Sequence, residues 1–206
     1  MTADLVALFR TLERLKRTPR TGWLDRGVPA PEVESVADHT LLTALIAWLA
    51  ALADGTLDAD RVLKLAVIHD IAEAIVGDRP PYEPHEVPAR DDVDALRAFF
   101  SVRHLRTPEN AARKREDEAA AAHHLLGLMP EQVATGIGAL WEEYEAQATP
   151  EARFVKQVDG LEAYLQSLTY AAADPELPLW GFTDMAEKEI DIPALTAIRD
   201  AARNGG

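Results

Sequence analysis

Residues 66–78, AVIHDIAEAIVGD, set His69, Asp70, Glu73 and Asp78 among neighbours that are otherwise apolar. Burying four ionisable groups is costly unless they are paired or hold a cation. Read as a helix, the segment puts His69 and Glu73 at i and i+4 on one face, with Asp70 about 100° further round the axis. His69 and Asp70 can both reach a metal held beside the helix, and Glu73 stands one turn along the same ridge. A divalent metal therefore accounts for the pattern.

Two donors make a weak site, and further ones occur inside apolar helical patterns. His39 follows Asp38 at the start of the very apolar run 40–53. Asp159 sits in FVKQVDGLEAYLQ, where Phe154, Val155, Val158, Leu161 and Leu165 form an apolar face. His39, His69, Asp70 and Asp159 make a set of two histidines and two carboxylates. Such a set suits Mn, Fe, Co, Ni or Zn and leaves positions for water and substrate. Each residue also has a plainer reading: His39 as a cap or satisfied core group, Asp159 as the partner of Lys156. The chain has no cysteine, which excludes disulfides, thiolate ligands and a cysteine nucleophile.

The elements that must position these residues are helical. Leu5, Leu8, Phe9, Leu12 and Leu15 recur at three- and four-residue steps, the spacing of an amphipathic helix. Ser35 and Asp38 resemble a capping box, and Gly55 closes that segment. A third helix is expected from about residue 57 to Gly77 and a fourth within 90–105. Thr107-Pro108 and Thr149-Pro150 look like N-caps followed by proline at the first helical position. Residues 130–147 lie between the helices they start, and 183–203 close the chain, broken at Pro193. No alternating β-branched run and no repeat appears. The fold class is all-α.

Composition bounds the partners. The 206 residues, 48% hydrophobic and 27% charged, fit a soluble globular chain without a linker, read as one domain over residues 1–206. A net charge of −14 argues against nucleic-acid polymers. Yet residues 1–26 carry Arg10, Arg14, Lys16, Arg17, Arg20 and Arg26 against Asp4, Glu13 and Asp25, a basic patch able to serve a small anion. No signal peptide is visible, so a cytoplasmic location is expected. The most apolar stretch, 41–53, is too short to cross a bilayer and suits a buried helix, so no membrane is expected.

His39, then His69-Asp70, then Asp159 resembles the H…HD…D signature of HD-domain metal-dependent phosphohydrolases. The blocks ESVADHT, KLAVIHDIAEAIVGD, LWEEYEAQATPEARFVKQVDGLEAY and RTGWLDRGV are similar to the branch containing 5′-deoxynucleotidases. The resemblance covers roughly residues 5–82 and 110–172. It implies a helical bundle around a single metal bound by His39, His69, Asp70 and Asp159. It implies a catalytic role for Glu73, and for Asp78 one that assists at the substrate. Arg20 and Trp23 are the implied contacts to the nucleotide, with phosphate released from deoxyribonucleoside 5′-monophosphates. The family often forms homodimers, and Phe99, Phe100 and Trp180 are apolar residues that fit either an interface or the core.

The chain departs from the family pattern in three places. The run from Gly27-Val28 to SVADH is two residues longer than usual. Arg20 and Trp23 are separated by Thr21-Gly22, which leaves Arg17 and Arg26 as alternative phosphate contacts. Residues 79–105 form a longer segment directly after Asp78. Two other readings share the motif: a phosphohydrolase for another nucleotide, such as a guanosine polyphosphate, or another small phosphate ester, and a non-catalytic metal-binding sensor. The first expects a further acidic pair after the HD, where this chain has HDIAEA; the second has no use for Glu73.

Overall fold

The computed structural model describes residues 4–205. Apart from one isolated bridge between Pro19 and Ser35, the described residues contain helices and turns only. The helices are α1 (Leu5–Leu12), α2 (Thr21–Asp25), α3 (Val36–Asp54), α4 (Ala59–Ile68), α5 (Glu73–Val76) and α6 (Val93–Phe100). They continue with α7 (Pro108–Gly127), α8 (Glu131–Glu145), α9 (Pro150–Ala173), α10 (Trp180–Glu189) and α11 (Pro193–Gly205). Short 3-10 turns cover Glu13–Lys16 and Pro84–Glu86.

Local chemistry fixes the ends of the long helices. The Ser35 hydroxyl accepts from the Asp38 N–H while the Asp38 carboxylate accepts from the Ser35 N–H, and Gly55 ends α3 at φ 72°. Thr107 and Thr149 cap α7 and α9, each ahead of a proline that has no N–H to leave unpaired. Pro193 opens α11 and separates it from α10.

Helix α9 is the axis of the core. Phe154, Val155, Val158 and Leu161 pack against Val62 and Leu65 of α4 and against Ala44, Ala47 and Ala51 of α3. The alanines let the three backbones approach closely. Each large apolar side chain buried here contributes roughly 1.5–3 kcal/mol, enough to hold polar groups that the same helices carry inward. A second cluster gathers Trp23, Val28, Tyr170 and Leu179, and a third gathers Tyr82, Leu96 and Phe100 from the long segment 79–105.

Three expectations change. The helix read from 57 to Gly77 stops at Ile68: Ile71, Glu73 and Ala74 donate to carbonyls three residues back, not four. The tightened turn brings i and i+3 into line, so Glu73 stacks on Asp70, and Gly77 then ends α5 at φ 75°, ψ 168°, a conformation open to glycine. Secondly, the stretch 41–53 is buried on one side only. Leu41, Leu45, Leu49 and Leu52 are 40–60% exposed, while His39, Thr43 and Ala47 face inward. At 19 residues and mean hydropathy 1.6, α3 is long and apolar enough by composition to cross a membrane, but its inner face packs on α4 and α9. Thirdly, Phe100 is fully buried and belongs to the core, whereas Trp180 is exposed.

Candidate active site

Three separate stretches deliver their polar side chains to one point. The first turn of α3 brings His39, the turn after α4 brings His69 and Asp70, and the middle of α9 brings Asp159. His39 Nε2 lies 3.1 Å from Asp159 Oδ1 and 3.8 Å from Asp70 Oδ2; His69 Nε2 lies 3.0 Å from Asp70 Oδ2. Metal bonds of about 2.0–2.2 Å put neighbouring ligands roughly 3.0–3.6 Å apart, close to the spacing found.

Hydrogen placement makes the case for a cation sharper. A carbonyl oxygen only accepts, so His69 Nδ1, 2.7 Å from Ala66 O, carries the ring hydrogen. In the neutral ring His69 Nε2 is then a lone pair facing a carboxylate oxygen, and neither atom has a hydrogen-bond partner although both are buried. Two facing acceptors repel; an unpaired buried polar group costs roughly 1–3 kcal/mol, and a shared positive ion removes the cost for both. His39 is arranged similarly, its Nδ1 held 2.5 Å from Glu162 Oε2, which aims Nε2 at the centre. Burial and the Arg20 charge disfavour a proton on His39, yet Asp159 and Glu162 outweigh both and raise it to about 9. The cluster thus demands positive charge at this point, and a divalent ion fits it. The donors are two nitrogens and two oxygens, matching the borderline transition metals.

Asp159 also forms the expected pair with Lys156, Nζ to Oδ2 2.8 Å, so the structural and the functional readings of this residue hold together. Glu162 was not foreseen. It stands three residues after Asp159 on the same face of α9, and the imidazole of His39 bridges the two carboxylates. A buried acid at that spacing in an apolar helix was the available signal.

The cluster opens into a cavity of about 340 Å³, within the range of small-ligand sites. Glu73 lines it at 5% exposure, with Oε2 buried and unpartnered. Burial, then the charges of Asp70 and Asp78, push its carboxyl well above the usual range, with Arg20 opposing. Arg20 Nη1 lies 3.2 Å from Asp78 Oδ1 and 3.6 Å from Asp70 Oδ2. Asp78 Oδ2 accepts from the Thr21 N–H at 2.6 Å. Both Asp78 oxygens are therefore engaged in holding the Arg20 segment. Trp23 is 2% exposed, donates from Nε1 to Glu34 Oε1 at 2.7 Å and stacks on Phe182; it walls the cavity from within the second cluster. Arg17 lies elsewhere, exposed and paired with Glu13, whereas Arg26 does line the cavity. So do Arg103, His104 and Leu105 at the far end of segment 79–105, and the next residue, Arg106, donates to the carbonyls of Arg79 and Pro80 and ties down the chain that follows Asp78.

The HD domain family matches residues 12–191. A 5′-deoxynucleotidase HDDC2 from Xenopus laevis is 39% identical over 169 residues, 81% of this chain and 69% of its own length. The 5′-deoxynucleotidase hdd1 of Schizosaccharomyces pombe is 35% identical over 169 residues, 81% of this chain and 72% of its own. Among solved structures, a conserved hypothetical protein from Pyrococcus furiosus superposes with a TM-score of 0.66 at 28% identity, covering 97% of this chain and 99% of that one.

Asp70→Ala is expected to abolish stoichiometric divalent metal in the purified protein, as counted by elemental analysis. A variant that keeps its full metal content contradicts the ligand set.

Proposed function

The chain belongs to the HD-domain family of metal-dependent phosphohydrolases, in its 5′-deoxynucleotidase branch, and from that premise we propose that it releases phosphate from deoxyribonucleoside 5′-monophosphates in the cytoplasm. The observation that carries the reading is the convergence of His39, His69, Asp70 and Asp159, of which Asp70 and Asp159 face a cavity that Glu73 and Arg20 also line. His39, His69, Asp70 and Asp159 would hold one divalent transition ion, with Mn, Co, Fe, Ni and Zn all compatible with two nitrogens and two oxygens. When bound, the ion polarises the phosphate and acidifies a water molecule.

The chain's own residues supply the rest. Glu73, made more basic by burial and by its acidic neighbours, accepts the proton of the attacking water. Arg20 donates to the phosphate oxygens, and its fork suits two of them at once. Asp78 acts through Arg20: its carboxylate holds the guanidinium and the Thr21 amide and so sets where the phosphate is grasped. The indole of Trp23 closes the cavity wall beside the sugar, where it disfavours a 2′-hydroxyl. Lys156 offsets the charge of Asp159 without competing for the histidines.

The outer face of α3 supports a homodimer. Leu41, Leu45, Leu49 and Leu52 recur at helical spacing, and no charged residue lies between His39 and Asp54. Such a stripe matches a second copy of itself across a two-fold axis and is larger in apolar content than isolated exposed leucines require. Leu45→Glu with Leu49→Glu is expected to convert a sedimenting species of two chains into one of a single chain; an unchanged mass places the dimer elsewhere or removes it.

The function is tested by phosphate release from deoxy- and ribonucleoside monophosphates with each divalent metal added in turn. Deoxynucleotides are expected to turn over faster. Glu73→Gln is expected to retain metal but lose ~10²-fold or more of that turnover; undiminished turnover removes Glu73 from the mechanism.

A further inference from the structure

Two arginines line the cavity in different chemical settings. Arg20 feels the charges of Asp78, Asp70, Glu73 and Asp159. Arg26 lines the same cavity, yet the charged and polar groups that act on it are Tyr82 and Asp25. No carboxylate of the described residues pairs with it directly. Its Nη1 donates to the Gly22 carbonyl at 2.8 Å and lies 3.4 Å from Tyr82 Oη, whose own hydrogen is directed to Asp25 Oδ2. Its Nε is buried without a partner.

Two rings hold the guanidinium in place. Phe100 lies 4.1 Å from its carbon and Phe182 4.8 Å, and Phe182 is itself stacked on Trp23 at 4.2 Å. Glycines flank the fork. A methyl group added at Gly22 would stand 3.4 Å from Nη1, and one at Gly181 3.9 Å from Nη2, so no side chain from either residue covers it. The result is a rigid guanidinium whose Nη1 is committed to Gly22 and whose Nη2 has no hydrogen-bond partner among the described residues, beside a flat aromatic wall.

Guanidinium nitrogens only donate. Guanine offers two acceptors, O6 and N7, on one edge, and thymine offers O4; adenine and cytosine put an amino donor at the corresponding place. Resting on the deoxynucleotidase reading of this site, we propose that Arg26 reads the carbonyl edge of the nucleobase, so that dGMP and dTMP are preferred to dAMP and dCMP. Arg26 is then a specificity residue, kept in register by the Phe100 and Phe182 rings that flank its guanidinium.

The test compares kcat/KM of the metal-loaded enzyme and of Arg26→Lys on dGMP, dTMP, dAMP, dCMP and base-free 2-deoxyribose 5-phosphate. The wild-type protein is expected to favour the oxo bases by about tenfold or more. Arg26→Lys keeps the charge but loses the planar Nη2 donor, and is expected to reduce that ratio to about twofold while affecting deoxyribose 5-phosphate less than dGMP. Equal wild-type rates on all four nucleotides overturn the assignment of Arg26 and leave the deoxynucleotidase reading intact. Equal losses on deoxyribose 5-phosphate and dGMP place Arg26 on the phosphate and also overturn it. No turnover of any of the five by the wild-type enzyme overturns both. Should Arg26→Lys fail to fold, inhibition of the wild-type enzyme by free nucleosides decides. Tighter inhibition by deoxyguanosine and thymidine than by deoxyadenosine and deoxycytidine supports the proposal, and equal inhibition refutes it.

Discussion

With its hydrogen on Nδ1, the neutral His69 ring sets Nε2 and Asp70 Oδ2 against one another at 3.0 Å as two electron-pair donors. That confrontation is unfavourable in any buried setting, and here it is enforced from both sides. The Ala66 carbonyl fixes the His69 ring, and the tight turn after Ile68 fixes Asp70. Asp159 and Glu162, brought in on α9, add further negative charge around His39. A positive ion at the meeting point would turn the His69–Asp70 repulsion into two attractions and offset the acidic charge around His39. The packing of α3, α4 and α9 is what holds these groups together.

Around that centre each supporting contact has a directional purpose. Glu162 aims His39 as the Ala66 carbonyl aims His69, an arrangement of the kind that would orient both rings toward a metal. The switch to three-residue turns at Ile71 places Glu73 over Asp70 instead of a further step round the helix. Gly77 then reverses the chain so that Asp78 meets Arg20 and Thr21, which the Pro19–Ser35 bridge has carried to the head of α3. The N-terminal basic segment contributes to the cavity only through Arg20 and Arg26; the others lie outside it.

The metal-site candidates were legible because polar groups in an apolar helix need a reason, and one reason served His39, His69, Asp70 and Asp159 together. The helix ends were legible too, since Ser35, Gly55, Thr107 and Thr149 act locally. The break at His69 was not. Apolar periodicity hardly differs between three and 3.6 residues per turn over one turn, and hydrogen-bond register leaves no mark in residue type. The exposed leucines of α3 were hidden for a related reason: a helix apolar on all sides reads as buried on all sides. Glu162 was obscure because its partner, His39, lies far away in the chain, and Arg26, legible as an alternative phosphate contact, gave no sign of its distant partners Phe100 and Phe182. The long segment 79–105 gave no family pattern to follow, yet it supplies the cavity wall and the Phe100 contact.

The most direct measurement is an anomalous-scattering crystal structure of the protein grown with Mn or Co. One strong peak is expected at about 2.0–2.2 Å from His39 Nε2, His69 Nε2 and the near oxygens of Asp70 and Asp159. Density for a water or a proton-bridged His–Asp pair there, with the metal absent or bound at other residues, would contradict the account at its base.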